Sequence, residues 1–219
     1  MNIYLIRHGR QDSALCNVNV SLSEEGKRQA ELTGERLLKY NIEAVYSSDL
    51  IRAVETADII NKYILKERVI DERLREIDYG LLTGLSNSQL KSEHGDFLDK
   101  RAKMEEDMCY PGGECSREVF ERAFEVIKEI SSKNYENVAV VTHGGVIRAL
   151  MCGIIGAPFS KTLVVGRQIE NCSISEILYD RQMNTFHIER INDYAHFEDI
   201  DELRRKHFTT GFFSKKQNV

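Results

Sequence analysis

Short apolar runs rich in β-branched residues alternate along the chain with longer stretches whose apolar positions recur at helical spacing. That alternation predicts βαβ units around a mainly parallel sheet, an α/β fold. The predicted strands cover 2–7, 44–47, 138–142, 173–178 and 185–191, and helices fill several of the gaps. Ser23 is placed as an N-cap before Glu24 and Glu25, which suit the positive end of a helix dipole. Ala30, Leu37 and Leu38 then share one face, and the helix ends near Tyr40 and Asn41. A second helix is expected over 49–63 with Ala53, Ala57 and Ile60 inward. A third starts at Ser116 and carries a stripe of Phe120, Ala123, Phe124, Ile127 and Ile130.

The pattern weakens twice. Residues 80–115, with Gly80, Gly84, Gly95, Gly112 and Gly113 among polar neighbours, read as a loop-rich cap, where binding residues often sit. Near the end, Asp199 to Glu202 followed by Arg204, Arg205 and Lys206 read as a short helix whose charges complement its dipole. Phe208, Phe212 and Phe213 follow; three aromatics in a polar tail either dock on the chain's own core or form the contact of a homodimer.

At 219 residues, with 42% hydrophobic and 30% charged positions, the chain is long enough for one large domain with a buried core. No linker-like stretch or internal repeat divides it, so 1–219 are read as a single domain. Lys and Arg number 30 against 35 Asp and Glu, a formal charge of −5. This argues against nucleic acid or an anionic membrane as a partner and confines any positive site to a local patch. No apolar run approaches the roughly 18 residues of a membrane span. Five scattered cysteines without a C-x-x-C pair suggest free thiols. With a strand starting just after the first Met, which leaves no room for a signal peptide, they predict a cytoplasmic protein.

Motifs that would fix another chemistry are absent: there is no G-x-x-x-x-G-K-[ST], G-x-G-x-x-G, H-E-x-x-H or G-x-S-x-G, and no cysteine is followed six positions on by arginine. The six histidines show no ligand-like spacing, so neither a metal nor a cofactor is expected. Two histidines stand out instead. His8 follows the first strand in Arg7-His8-Gly9, and His143 follows a later one in Thr142-His143-Gly144-Gly145. In a parallel sheet both fall at the carboxyl edge, where open α/β folds bind ligands. The glycines let an anion approach the backbone, and the helix that starts after Gly145 turns N–H groups toward it. Arg7 adjoins the first histidine and Arg52 lies just past another strand end. Two guanidiniums and a helix N-terminus around two imidazoles make a phosphate-sized pocket.

Six ordered blocks carry a resemblance. They are Leu5 to Gly9, Leu22 to Gly26 with Gln29 and Ala30, Ser47 to Ala53 with Glu55 to Ala57, Leu74 to Gly80, Pro111 to Glu114, and Val140 to Arg148. Together they closely resemble the histidine phosphatase superfamily, with its phosphoglycerate mutase-like fold, over roughly residues 1–197. The resemblance implies a three-layer α/β/α sandwich with a mixed, mostly parallel sheet. Residues 1–197 would form the catalytic core, 80–115 its cap, and 198–219 a tail it does not explain.

The resemblance also implies chemistry: a phosphohistidine on His8, with Arg7, Arg52 and a protonated His143 on the phosphoryl oxygens. Glu76 would be the general acid and base, which asks for a raised pKa and hence burial or anionic neighbours. Asn17 and Gly144 would add substrate contacts.

Three departures stand out. Arg10 and Gln11 replace the acidic residue and Ser or Thr often found after R-H-G, and Arg10 becomes a candidate phosphate contact. Leu82-Thr83-Gly84 stands where many family phosphatases have Trp-Glu-Gly, and there is no tryptophan anywhere. Cys115 replaces a serine and is read as structural. The short stretch from Ile77 to Pro111 favours a metal-independent phosphomonoesterase of small phosphorylated metabolites, such as α-ribazole-5′-phosphate or a sugar phosphate. A cofactor-dependent phosphoglycerate mutase is the alternative, and an inactive phospho-ligand-binding protein the third reading.

Overall fold

The computed structural model describes residues 1–166 and 168–205. Phe208, Phe212 and Phe213, for which a docking or dimer role is expected, lie outside them. The strands β1 (Asn2–Arg7), β2 (Ala44–Ser47), β3 (Glu67–Ile70), β4 (Asn137–Thr142), β5 (Ile174–Asp180) and β6 (Thr185–Asp193) form one sheet in the order β3-β2-β4-β1-β5-β6. The first four run parallel; β5 is antiparallel to β1, and β6 to β5.

Side-chain alternation along β1 sorts the core into two layers. Ile3 and Leu5 pack on one face with Val138 and Val140 of β4, under α4 (Ser116–Ser131) and α5 (Gly144–Ile154). Tyr4 and Ile6 face the other way with Val45, Ala139 and Val141, under α1 (Glu24–Leu37) and α2 (Ile51–Ile64). The result is the expected three-layer sandwich with a mixed, mostly parallel sheet. Ser23 caps α1 by accepting from the Gly26 N–H at 3.2 Å. At its other end α1 runs into a 3₁₀ turn, Leu38–Tyr40, closed by Asn41 in a left-handed conformation (φ 48°), and Leu38 lies outward, 55% exposed, rather than inward with Leu37.

Three further elements differ from expectation. The edge strand β3 was not predicted, because Glu67 and Arg68 break its apolar run. The cap contains a helix, α3 (Asn87–Ala102), started by a Ser86/Gln89 capping box and kinked at His94. It escaped prediction because only Leu90 is buried, so no stripe marks it. The expected helix after residue 198 is instead a run of turns, with Ile200 N–H donating to Phe197 O and Leu203 N–H to Ile200 O, both at 3.0 Å. Among the described residues no helix is long and apolar enough to cross a membrane.

Candidate active site

Arg7 of β1 is the register partner of Thr142 of β4, so the next residues, His8 and His143, emerge side by side at the carboxyl edge. Their ring centroids are 5.0 Å apart. His8 is 3% exposed and His143 wholly buried. His8 Nδ1 lies 2.7 Å from the Gly9 carbonyl. A carbonyl only accepts, so Nδ1 carries the proton and Nε2 the lone pair. Nε2 accepts from Arg52 Nε at 3.2 Å.

Arg52 enters from the first turn of α2 and is 1% exposed. Each terminal nitrogen has one protein partner, Nη1 the Val18 carbonyl at 3.0 Å and Nη2 Asn17 Oδ1 at 2.9 Å, which leaves a second N–H on each. Asn17, held at φ 46°, also donates to the Ile77 carbonyl at 3.3 Å. Its amide therefore orients Arg52 against the Glu76 block as well as lining the cavity. Arg7 donates from Nη1 to the Ile169 carbonyl, while its buried Nε and both ring nitrogens of His143 meet no partner among the described residues. Three buried polar atoms without partners among the described residues, grouped around His8, mark a place for a polar ligand.

The electrostatics follow from burial. Desolvation, then His143, Arg7 and Arg52, hold the His8 imidazole well below the usual histidine range. Desolvation, then Arg52, Arg7 and Arg122, do the same to His143. Burial first, and the neighbouring guanidiniums second, thus oppose a proton on His143 while no anion lies beside it. Glu76 reaches over from the loop after β3: its Oε1 accepts from Gly145 N–H and from Ile77 N–H, each at 3.0 Å. It is half-buried rather than enclosed. Gly144, the first residue of α5, sits above Arg7, with its Cβ position 3.5 Å from Arg7 Nε.

Arg10 is the clear correction. It borders the cavity, but its guanidinium points to the carbonyls of Glu202, Leu203 and Arg204 instead of presenting itself to a phosphate. Leu203 packs against Ala30 of α1 and its carbonyl accepts from Gln29, which brings three acceptors within reach. Two functional candidates escaped the sequence reading: Arg122 of α4, which braces the Glu76 block, and Arg205, which lines the cavity. Neither carries a motif, since one lies on a helix and the other in a charged tail.

The cavity measures about 790 Å³. Arg7, Arg52 and Arg205 form its polar end; Leu82, Leu90 and Leu98 its apolar wall. The Tyr79 and Tyr110 rings pack beside them with centroids 4.5 Å apart, tilted by 38°, and the Arg101 guanidinium lies 4.6 Å from the Tyr110 ring centroid. The single group of three possible metal-ligand atoms among the described residues, on Cys109, Cys115 and Glu118, includes none of the residues that line this cavity.

Comparison with known proteins gives this geometry a context. A family model described as the histidine phosphatase superfamily, branch 1, matches residues 3–194. Phosphoserine phosphatase 1 of Hydrogenobacter thermophilus is 27% identical over 213 residues, covering 91% of this chain and 96% of its own. The probable phosphoglycerate mutase GpmB of Erwinia tasmaniensis is 28% identical over 219 residues, covering 94% of this chain and 100% of its own. Among solved structures, a mycobacterial glucosyl-3-phosphoglycerate phosphatase superimposes with a TM-score of 0.79 at 26% identity, over 88% of this chain and 98% of that one.

Proposed function

Because the chain belongs to the histidine phosphatase superfamily, we propose that it is a metal-independent phosphomonoesterase that acts on small phosphorylated metabolites through a phosphohistidine on His8. One observation carries the reading: a neutral His8 with its lone pair on Nε2 lies against buried guanidiniums and a partnerless His143. In the first step that lone pair forms an N–P bond while the P–O bond to the leaving group breaks, and the departing alkoxide takes the proton of the Glu76 carboxylic acid. In the second, water attacks the phosphorus and gives its proton to the Glu76 carboxylate. The N–P electron pair returns to Nε2 and inorganic phosphate leaves. Arg7, Arg52 and His143 surround the oxygens on which charge accumulates, so the protein itself supplies the stabilising positive field. His143 takes up a proton when a phosphoryl dianion adds its charge beside it.

Water is favoured over a second sugar-acid hydroxyl as the acceptor because the cap offers Leu82, Leu90, Leu98 and Ala102 to the cavity, with Arg101 as its cation. His8→Ala is expected to abolish both p-nitrophenyl phosphate hydrolysis and the acid-labile phosphoenzyme trapped by rapid quench, and near-parental turnover would overturn the mechanism. Parental activity should survive EDTA. A panel of phosphorylated metabolites, with 3-phosphoglycerate plus 2,3-bisphosphoglycerate as the mutase control, then ranks substrates.

A further inference from the structure

The segment after the last strand is built into the pocket. Arg10 donates from Nη1 to the Glu202 carbonyl at 3.2 Å and from Nη2 to those of Leu203 and Arg204, each at 3.0 Å. Gln29 closes the clamp, since its Nε2 donates to the Leu203 carbonyl at 2.7 Å and its Oε1 accepts from the Arg10 N–H at 2.9 Å. Leu203 itself is buried with Phe197, Ala30 and Cys172. These contacts fix the position of the next charged side chain.

Arg205 donates from its backbone N–H to Glu170 Oε2 at 3.3 Å and from Nε to Asn171 Oδ1 at 2.8 Å. The same Asn171 donates from Nδ2 to the His8 carbonyl at 2.8 Å. One amide therefore ties the Arg205 guanidinium to the backbone of the nucleophile. Among the described residues the terminal nitrogens of Arg205 meet no acceptor, and the side chain lines the cavity beside Arg7 and His8. Burial first, and Arg205 second, push the Arg7 guanidinium well below its usual range. The two desolvated guanidiniums repel each other, a repulsion that Glu170, with Oε1 3.9 Å from Arg205 Nε, offsets only in part, and an oxyanion between them turns the remaining cost into attraction.

We infer that Arg205 is a third guanidinium ligand of the phosphoryl group, and that Arg10 is a positioning residue which holds the C-terminal turn so that Arg205 reaches it. The inference rests on the reading of this pocket as a phosphoryl-transfer site. It also explains the unusual residue after Arg7-His8-Gly9: Arg10 serves the phosphate through the tail rather than by touching it.

Inorganic phosphate is the probe, because it has phosphoryl oxygens and no leaving group. Titrated into the full chain by calorimetry, it should bind about ten- to a hundredfold more weakly to Arg205→Ala, the scale of one lost charge-assisted contact. Arg205→Lys should recover part of the loss. Arg10→Ala should also weaken phosphate, and the double variant should bind no more weakly than Arg205→Ala, since both act through one contact. The KM for p-nitrophenyl phosphate should rise in step with these constants, with a smaller change in kcat.

Unchanged phosphate binding in Arg205→Ala overturns the inference. So does a further loss from Arg10→Ala where Arg205 is already absent. A parent protein that binds phosphate through Arg205 yet hydrolyses no phosphomonoester would defeat the proposed function and leave this assignment standing.

Discussion

Gly145 decides where the Glu76 carboxylate can rest. A Cβ at this position would lie 2.3 Å from Glu76 Oε1 and 3.1 Å from the Ile77 side chain, so a methyl group and the hydrogen bond from Gly145 N–H to that oxygen exclude each other. At the neighbouring Gly144 the nearest atom to a Cβ is Arg7 Nε at 3.5 Å, ordinary contact. Two adjacent glycines in one turn thus do different work. Gly145→Ala should displace the Glu76 carboxylate and lower kcat by about a hundredfold, the lower end of what a general acid, its proposed role, contributes. Gly144→Ala should cost much less. Steady-state kinetics with an alkyl and an aryl phosphate check the cause: if Gly145→Ala slows both equally, the carboxylate is not what moved.

At the scale of elements, the part of the site outside the sheet edge is held by α4. Arg122 donates from Nε and Nη2 to the two oxygens of Glu114 at 2.7 and 2.8 Å. It also reaches the Arg73 carbonyl at 2.6 Å and the Glu76 carbonyl at 3.2 Å. Glu114 in turn accepts from the Asp78 N–H at 2.9 Å. One guanidinium therefore fixes both the loop that carries Glu76 and the turn that carries Tyr110. Arg122→Ala should slow alkyl phosphates on the order of tenfold to a hundredfold by misplacing Glu76, with KM little changed. Lysine should not rescue it, because a point charge cannot span a carboxylate and two carbonyls. Equal slowing of alkyl and aryl substrates would argue against this path.

The same element shows what the sequence could and could not reveal. His8 and His143 were legible because continuous apolar runs end just before them and parallel neighbours align those ends. Glu76 needed the family blocks, since nothing in its own surroundings marks a loop carboxylate. Arg122 stays hidden because an arginine beside a stripe of Phe120 and Ala123 reads as solvent-facing, and two of its four acceptors, the Arg73 and Glu76 carbonyls, come from a distant stretch of chain. Arg205 is hidden for a similar reason: its role depends on Arg10, almost two hundred residues away, and on Asn171.

The whole molecule should be sensitive to acid before its carboxylates begin to titrate. His8, His143 and His196 are all held below the usual histidine range by burial, His196 at about 4. Geometry agrees for His196, whose Nδ1 accepts from Arg36 Nη1 at 3.0 Å and cannot keep that bond once protonated. In the unfolded chain each would titrate near 6.5. A folded pKa below the unfolded one means that the unfolded state binds the extra protons, so stability is full above about pH 6.5 and is lost as pH falls below it. For His196 the loss by pH 5 is at most about 2 kcal/mol, reduced by screening at its exposed edge. Urea midpoints should therefore stay level from pH 8 to 7 and decline from about 6.5, ahead of the carboxylates near 4. His196→Asn keeps an acceptor for Arg36 but takes up no proton, so its midpoint should fall less steeply between pH 6.5 and 5. Parallel declines in the two proteins would show that His196 is not a source of the acid sensitivity.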